Sequence, residues 1–293
     1  MSTVVDTSLP ARHDVPEAAG LRDPATVKKL RVTFPRVARS EWYKFASLRS
    51  SWITLAAAVV VMIGFGVLAA LVTNGDVTPS GPNGQGGPGP TSTDPTALSL
   101  SGATLAQIIL GIVGVLLISG EYSSGMIRAT LAAVPRRLPV LYAKALVIGL
   151  VSLVVSTAAA LVSFLVAQQI LGDGSNTSLS ADGVLRSVLG TGTYLAAVAL
   201  LGVALGALLR NAAGAIGALF ALLLLAPTLL RAILPSSWED HILPYLPSNA
   251  GSSFTSVVPP DGMLSAGAGA AVLAGWVVVL LGTAAILLRR RDA

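Results

Sequence analysis

The chain has 293 residues, of which 53% are hydrophobic and 11% are charged, with a mean hydropathy of +0.76 and a formal net charge of +5. Soluble domains carry about 25% charged residues, so this composition excludes an ordinary soluble protein and indicates an integral membrane protein. The sequence contains no cysteine, which excludes disulfides, thiolate metal sites and cysteine nucleophiles.

The first 33 residues are polar and contain Pro10, Pro16 and Pro24, so we expect a disordered tail over residues 1–33. The first apolar run begins near Trp52. A cleavable signal peptide has its apolar part within the first ~15–30 residues. We therefore expect the first apolar run to remain in the membrane as an anchor.

Residues 34–51 are predicted to form an amphipathic helix that lies in the membrane surface. At about 100° per residue, one apolar face contains Phe34, Val37, Phe45, Leu48 and Trp52. The opposite face carries Arg36, Arg39, Ser40, Tyr43 and Ser47. Two roles remain open for this helix, an anchor for the first span and a docking surface for a cytoplasmic partner.

Glu41 falls within the apolar face of this helix, where a carboxylate is costly unless it is paired. Lys44 follows three residues later and can form a local ion pair with it. A partner protein facing Glu41 is the alternative.

Six apolar stretches are long enough to cross a membrane, because a hydrocarbon core of ~30 Å needs about 20 helical residues. They are Trp52–Thr73, Leu98–Ser119, Leu141–Leu171, Leu185–Leu209, Ala212–Ile233 and Met263–Leu288. The third stretch is longer than a perpendicular span requires, so it tilts or begins as an interfacial turn. Lys144, Arg186 and Arg231 lie near the ends of stretches, where we expect their side chains to snorkel to the interface.

The distribution of lysine and arginine predicts the orientation of these spans. With the N-terminus in the cytoplasm, all basic residues except Arg186 and Arg231 lie on the cytoplasmic side. An even number of spans returns the C-terminus to the same side. The sequence thus predicts an all-α protein of the cytoplasmic membrane, with a six-helix domain over residues 52–288 and a basic cytoplasmic tail over residues 289–293.

The predicted outer loops differ in composition. Residues 74–97 are rich in glycine and proline and are expected to form a flexible spacer. Residues 234–262 combine aromatic residues with proline, which suits the headgroup region and allows short re-entrant helices.

Small residues spaced by four positions predict close helix packing within the membrane. Gly202 and Gly206 have this spacing in the fourth stretch, and Ala213 and Gly217 have it in the fifth. A contact between two copies of the chain is the alternative for both pairs.

The segment that follows the second stretch combines a carboxylate, an aromatic residue, a glycine and an arginine. Its notable residues are Glu121, Tyr122, Gly125, Arg128 and Thr130. Glu121 and Arg128 are two helical turns apart, so both could project toward one partner surface. An ordinary basic cytoplasmic loop is the alternative.

These residues resemble a known family. Glu121-Tyr122, Gly125, Ile127-Arg128 and Thr130-Leu131 resemble the pattern that follows the second helix in permease subunits of ABC-2-type ATP-binding cassette transporters. The spacing of Glu41, Lys44, Arg49 and Trp52 resembles the amphipathic helix of the same family, and Tyr245-Leu246-Pro247-Ser248 resembles its last outer loop. The glycine- and proline-rich first outer loop departs from the family pattern.

The resemblance implies a half-transporter that pairs with a second, identical or related, permease subunit and is driven by two separate ATPase subunits. Residues Glu121, Tyr122, Gly125, Arg128 and Thr130 would then contact the ATPase. The resemblance implies that Glu41, Lys44 and Arg49 are contacts of the interfacial helix.

Several activities are disfavoured by what the sequence lacks. None of the four lysines follows a glycine, so there is no phosphate-binding loop, and we expect ATP and Mg²⁺ to bind the partner ATPase and no cofactor to bind this chain. The span centres carry no ionisable residue, which disfavours ion-coupled secondary transport. The only histidines, His13 and His241, are predicted on opposite sides of the membrane, so neither a metal site nor an enzyme is expected. The basic residues follow the topology, which disfavours a role in nucleic-acid binding.

The leading hypothesis is therefore a permease subunit of an ATP-driven exporter. Spans with almost no polar lining favour an amphiphilic, peptide, drug or lipid-like cargo. The alternative is a non-transporting membrane anchor or assembly protein, which needs no coupling segment.

Overall fold

The computed structural model describes residues 33–75, 94–127, 130, 138–172, 175–259 and 262–290, and its regular secondary structure is entirely helical. The helices in chain order are α1 (Phe34–Ser47), α2 (Arg49–Asn74), α3 (Pro95–Ser99), α4 (Ala103–Ser123), α5 (Leu138–Leu171), α6 (Val184–Leu209), α7 (Ala212–Ile233), α8 (Ser236–Ile242), α9 (Pro247–Thr255) and α10 (Ala266–Arg290). Within these residues, six helices are long and apolar enough to cross a membrane: α2, α4, α5, α6, α7 and α10. The prediction of an all-α protein with six spans is confirmed.

The second predicted span, Leu98–Ser119, is wrong at its start, because a short helix and a turn precede the long helix. The Asp94 carboxylate accepts a hydrogen bond of 2.9 Å from the backbone N–H of Thr96 and so caps α3, whose first residue is a proline. The chain turns at Gly102, where a β-carbon would lie 2.3 Å from the carbonyl oxygen of Met62. This close contact with α2 requires glycine, and α4 begins at the next residue.

The predicted spacer over residues 74–97 is therefore helical at both edges, since α2 runs to Asn74 and α3 begins at Pro95. Residues 76–93 of that loop lie outside the described residues, as do most of the predicted tail over residues 1–33 and residues 291–293.

The third span is one uninterrupted helix of 34 residues, α5. At 1.5 Å per residue it is about 51 Å long, well beyond the hydrocarbon thickness. It begins as regular helix at Leu138, and the two predicted alternatives, a tilted span and an interfacial first turn, both stay predictions. The extra turns at its start carry Lys144 and the surface that receives α1.

Helix α6 is the centre of the bundle. In its most apolar stretch 67% of the residues are buried, against 17% in α7. A β-carbon on Gly202 would lie 2.3 Å from the carbonyl oxygen of Gly111, and one on Gly114 would lie 2.0 Å from that of Ala199. The absence of side chains at these positions lets the backbones of α4 and α6 touch. The predicted packing role of Gly202 and Gly206 is confirmed, and both residues are buried within this chain.

Helix α7 lies at the periphery and has a π-helical turn at Ala221–Leu225. Pro227 follows at the start of the next α-helical part. A proline inside a helix removes one backbone donor and crowds the preceding turn, and a wider π turn relieves that conflict. Ala213 and Gly217 are exposed in this helix, and the described residues place nothing within 4 Å of a β-carbon on Gly217. The prediction that these two residues pack closely against another helix is therefore wrong within the described part of the chain.

The segment between α7 and α10 contains the short helices that the sequence allows. Helix α9 is largely buried and packs against α6 and α10, where Gly251 lies against the ring of Tyr194 and Gly269 lies against the carbonyl oxygen of Ala250. The indole N–H of Trp276 donates to the carbonyl oxygen of Tyr245 at 2.8 Å. These contacts fix α9 beside the first turns of α6.

Candidate functional site

Helix α1 packs against α5. Its buried residues are Val37, Glu41 and Phe45, spaced by one helical turn each, and Val37 contacts Val140 and Ala143 of α5. The predicted polar face is exposed. Of the predicted apolar face, Phe34, Leu48 and Trp52 are exposed in the described chain, so only its central strip is buried against the protein.

The chain bends sharply between α1 and α2. Leu48 has extended backbone angles and separates the two helices, so α2 begins at Arg49 rather than at Trp52. The indole N–H of Trp52 donates to the carbonyl oxygen of Ala46 at 3.0 Å, and its ring meets Phe45 edge-on with 5.9 Å between ring centroids. These contacts hold α1 at a fixed angle to the first span. Arg49 itself is exposed at the bend.

Four charged residues meet where α1, α4 and α5 converge, and we call Glu41, Lys44, Glu121 and Lys144 the ionic cluster. The Lys144 Nζ atom lies 2.6 Å from Glu41 Oε2 and 3.1 Å from Glu121 Oε1. The Lys44 Nζ atom lies 2.7 Å from Glu41 Oε1 and 3.1 Å from Glu121 Oε1. Each ammonium therefore bridges both carboxylates, and two positive charges balance two negative ones.

The ionic cluster is buried. The side chains of Glu41, Lys144 and Glu121 are 3%, 3% and 5% exposed, and only Lys44 reaches solvent, with 29% exposed. A buried carboxylate is tolerated when it is paired and hydrogen-bonded. The predicted ion pair between Glu41 and Lys44 is confirmed, and the Glu41 carboxylate faces the interior of this chain.

Lys144 is the member of the ionic cluster that sequence reasoning missed. We expected its side chain to snorkel to the interface, but it is directed inward between two carboxylates. A signal was present in the sequence, because Glu41 and Glu121 both border apolar segments and both need a cation. Because the two glutamates are 80 positions apart along the chain, the sequence does not show that Lys144 pairs with both.

The segment after the second span differs from the predicted continuous helix. Glu121 and Tyr122 belong to the last turn of α4, which ends at Ser123. Gly125 follows with a left-handed φ of 71°, a conformation that favours glycine and ends the helix. Glu121 and Arg128 are therefore not two turns apart on one helix, and Arg128 lies outside the described residues.

Two contacts fasten this segment to the rest of the bundle. The Lys44 ammonium donates to the hydroxyl of Thr130 at 3.2 Å, which ties the segment to α1. The Arg210 guanidinium lies over the ring of Tyr122 with 5.2 Å to the ring centroid, which ties the end of α4 to the end of α6. The role of these residues in contacting an ATPase stays a prediction.

The ammonium of Lys44 remains charged at neutral pH. Burial by itself lowers the pKa of Lys44, but the hydrogen bond and charge of Glu41, with those of Glu121, outweigh burial and raise the pKa above its ordinary value. The folded protein therefore keeps this proton until the solution is strongly alkaline.

A cavity of about 340 Å³ opens beside the ionic cluster, between the bend after α1 and the end of α4. All four members of the ionic cluster line it, together with Thr54 of α2, and its other walls include apolar residues of α4.

The opposite end of the bundle holds a polar cleft of about 800 Å³, between the first turns of α4 and α6 and the helix α9. The hydroxyl of Tyr194 donates to Gln107 Oε1 at 2.5 Å inside it. Gln107 is 14 positions before Glu121 on α4, so the two sites are about 21 Å apart along the helix. Sequence reasoning assigned no role to Gln107.

Gln168, a second buried glutamine in the described part of the chain, has a structural role. Its Nε2 donates to Ser99 Oγ at 3.0 Å and to the carbonyl oxygen of Pro95 at 3.2 Å, and its Oε1 accepts from the N–H of Thr177 at 2.6 Å. It thereby joins α3, α5 and the following loop. Among the residues that the structure describes, no three histidine or acidic side chains come together as metal ligands would.

Comparison with known proteins agrees with this architecture. A family model described as "ABC-2 family transporter protein" matches residues 38–226, which include most of α1, the ionic cluster and the first four spans. No individual curated protein matches the chain in sequence. Because the match covers more than half of the sequence, the chain belongs to the ABC-2 transporter family and is a multi-pass membrane permease.

Proposed function

We propose that the chain is the translocation subunit of an ATP-binding cassette exporter, driven by a separate ATPase that binds its cytoplasmic side. Membership of the family implies an ABC ATPase as partner. The chain itself has no glycine–lysine phosphate-binding loop. ATP and Mg²⁺ therefore bind the partner, and this chain supplies the pathway.

The observation that carries the proposal is the ionic cluster, which joins α1, α4 and α5 at the point where the chain leaves the second span. Thr130 extends this connection into the segment between α4 and α5. An ATPase that pulls on this segment would act on three helices together, because the paired charges resist separation in a buried site. Residues Glu121, Tyr122, Gly125, Arg128 and Thr130 then couple ATP hydrolysis to movement of the spans.

The arrangement of charge supports a cytoplasmic position for this end of the bundle. Lys44 and Lys144 meet at Glu121, and Arg210 meets Tyr122. Basic residues at the ends of spans favour the cytoplasmic side of a membrane. The N- and C-termini then both lie in the cytoplasm, and α9 and the polar cleft lie on the outer side.

Two copies of the ATPase and a second permease subunit complete the proposed transporter. The sparse burial of α7, with Ala213 and Gly217 exposed on it, supports α7 as a surface for the second subunit. The cargo is proposed to be amphiphilic, such as a peptide, a drug or a lipid-like molecule, and it is exported.

Affinity purification of the tagged chain from native membranes tests the proposal. We expect a separate chain with a phosphate-binding loop to co-purify, and the reconstituted complex to hydrolyse ATP. Replacement of the arginine in the coupling segment, Arg128→Ala, should lower ATP turnover of the complex roughly tenfold. The matched control is Arg231→Ala, since Arg231 is an exposed arginine in the last turn of α7.

Recovery of the chain without any ATPase would contradict the proposal. Equal ATP turnover in the Arg128→Ala and Arg231→Ala complexes would remove the coupling role of the segment after α4. Size-exclusion profiles of both variants show whether each one is folded.

A further inference from the structure

Ten of the sixteen residues that line the polar cleft have uncharged side chains that can form hydrogen bonds. Its lining includes Thr104 and Gln107 of α4, Ser187, Thr191 and Tyr194 of α6, and Ser252 of α9. Among the described residues of the lining, the only charged one is Asp94, whose carboxylate accepts the capping hydrogen bond of α3. This composition contrasts with the apolar surfaces of the spans around it.

Two polar groups of the cleft have unused hydrogen-bonding capacity. Gln107 Oε1 accepts from the Tyr194 hydroxyl, so the amide presents its Nε2 donors, and these donate to no other residue that the structure describes. The Ser248 hydroxyl is buried without a hydrogen-bond partner in the described chain. Buried polar groups without partners are costly, so a ligand that supplies partners gains from binding there.

The wall of the cleft is held in place by close packing. A β-carbon on Gly251 would lie 2.4 Å from the ring of Tyr194, so α9 can approach α6 only with glycine at this position. The hydroxyl of Ser187 donates to the carbonyl oxygen of Thr255 in the same region. Tyr194 is thereby fixed, and it in turn orients the amide of Gln107.

We propose that the polar cleft binds the uncharged hydrogen-bonding head of the cargo, with hydroxyl or amide groups as its recognised chemistry. The inference rests on the proposed function and narrows its cargo class to amphiphiles with neutral polar heads. An anionic head would lose hydration in a cleft whose one charged lining residue, Asp94, is also negative, and a cationic head would find only this carboxylate, which already caps α3, so both are unfavourable. Neutral hydroxyl or amide groups instead find the Gln107 donors, the Ser248 hydroxyl and the hydroxyls of the lining.

The absence of native cysteine allows a direct binding test on the purified chain in lipid nanodiscs, without ATPase or nucleotide. Thr104→Cys places a reporter in the cleft one helical turn before Gln107, at an exposed position. The rate at which a water-soluble maleimide modifies this cysteine is measured with four probes of equal chain length. Octyl glucoside has a hydroxyl head and N-octanoyl-glycinamide an amide head, while octyl sulfate and octyltrimethylammonium are charged.

We expect one or both neutral probes to slow the modification and the charged probes to leave it unchanged. The pattern between the two neutral probes distinguishes a hydroxyl from an amide head. In the Thr104→Cys background, Gln107→Leu should weaken the protection roughly tenfold, because it removes the hydrogen-bonding amide. Tyr194→Phe removes the hydroxyl that orients the Gln107 amide but leaves the amide in place. We therefore expect it to weaken the protection less than Gln107→Leu does. Ser180→Cys is the control reporter, since it is exposed outside the cleft.

Three results would overturn the inference. They are protection by charged and neutral probes alike, protection by none of the four probes, and full protection in the Gln107→Leu variant. Loss of the ATPase partner in the purification experiment would leave this binding result unaffected. The failure of the cleft proposal and the failure of the transport proposal are therefore separate outcomes.

Discussion

Lys144 is buried with its ammonium between two carboxylates of other helices. The side chain is 3% exposed and lies within 3.1 Å of both Glu41 and Glu121. Removal of one member of a buried ion pair leaves an uncompensated charge, which commonly costs more than the pair itself contributes. Lys144 is therefore the residue on which the joint between α1, α4 and α5 depends.

We predict that Lys144→Met destabilises the protein by about 3–5 kcal/mol, because Glu41 and Glu121 would face each other with only Lys44 between them. The thermal midpoint of the detergent-purified protein measures this effect. Lys44→Met should cost less, because Lys44 is 29% exposed and Lys144 still bridges both carboxylates. Equal midpoints for Lys144→Met and the parent chain would show that the ionic cluster does not stabilise the fold.

Sequence reasoning identified part of the ionic cluster. The helical period placed Glu41 on the apolar face of α1, and the i,i+3 spacing indicated Lys44 as its partner. The contact with Lys144 spans 103 positions, and that with Glu121 spans 77 positions from Lys44. No local pattern specifies such contacts, since they depend on which helices become neighbours.

Helices α4 and α6 cross with their backbones in direct contact. In a membrane the hydrophobic effect does not drive helices together, because lipid is as apolar as the side chains. Close backbone contact therefore stabilises the association of α4 with α6. Gly111, Gly114 and Gly202 supply the surface, and the carbonyl oxygens of Gly111 and Ala199 occupy the space where β-carbons would be. The crossing holds Gln107 at one end of α4 and Glu121 at the other in fixed positions.

We predict that Gly202→Ala separates α4 from α6 and lowers the stability by about 1–3 kcal/mol, because the new methyl group would overlap a backbone carbonyl that cannot rotate away. The thermal midpoint again measures the change. Gly275→Ala is the matched control, since nothing lies within 4 Å of its β-carbon position and alanine favours helix more than glycine does. A midpoint for Gly202→Ala at or above that of Gly275→Ala would contradict this packing.

The small-residue patterns show how far sequence can specify an element. The spacing of Gly202 and Gly206 and that of Ala213 and Gly217 are identical, yet the first pair is buried and the second is exposed. The spacing shows that another helix can pack closely against this one. Which helix does so depends on the position of the element in the bundle.

The whole molecule has two chemically different ends. Paired charges gather around α1 and the end of α4, whereas neutral hydroxyl and amide groups gather around α9 and the starts of α4 and α6. A force applied at the charged end can reach the polar cleft through α4, which is continuous from Ala103 to Ser123.

The proposed orientation gives a prediction for intact cells. Ser180→Cys, in the loop before α6, should react with a membrane-impermeant maleimide from outside, because that loop lies at the end that holds the polar cleft. Ser47→Cys, at the end of α1, should react only after the cells are permeabilised. Both serines are exposed, and the chain has no native cysteine to interfere. Labelling of Ser47→Cys in sealed cells would reverse the orientation and with it the cytoplasmic position of the ionic cluster.

The sequence by itself determined that this protein has six helical membrane spans, because the length and polarity of each segment decide whether it can cross a bilayer. The resemblance of its motifs to the ABC-2 family indicated a permease. The sequence also determined the amphipathic character of α1 and the Glu41–Lys44 pair, which depend on neighbours along one helix. Only the tertiary structure decided that Lys144 completes the ionic cluster, that α3 and a turn precede α4, and that Gln107 and Tyr194 meet in a polar cleft. These features arise where helices distant in sequence pack together, and the energy that selects them comes from contacts that a local pattern does not encode.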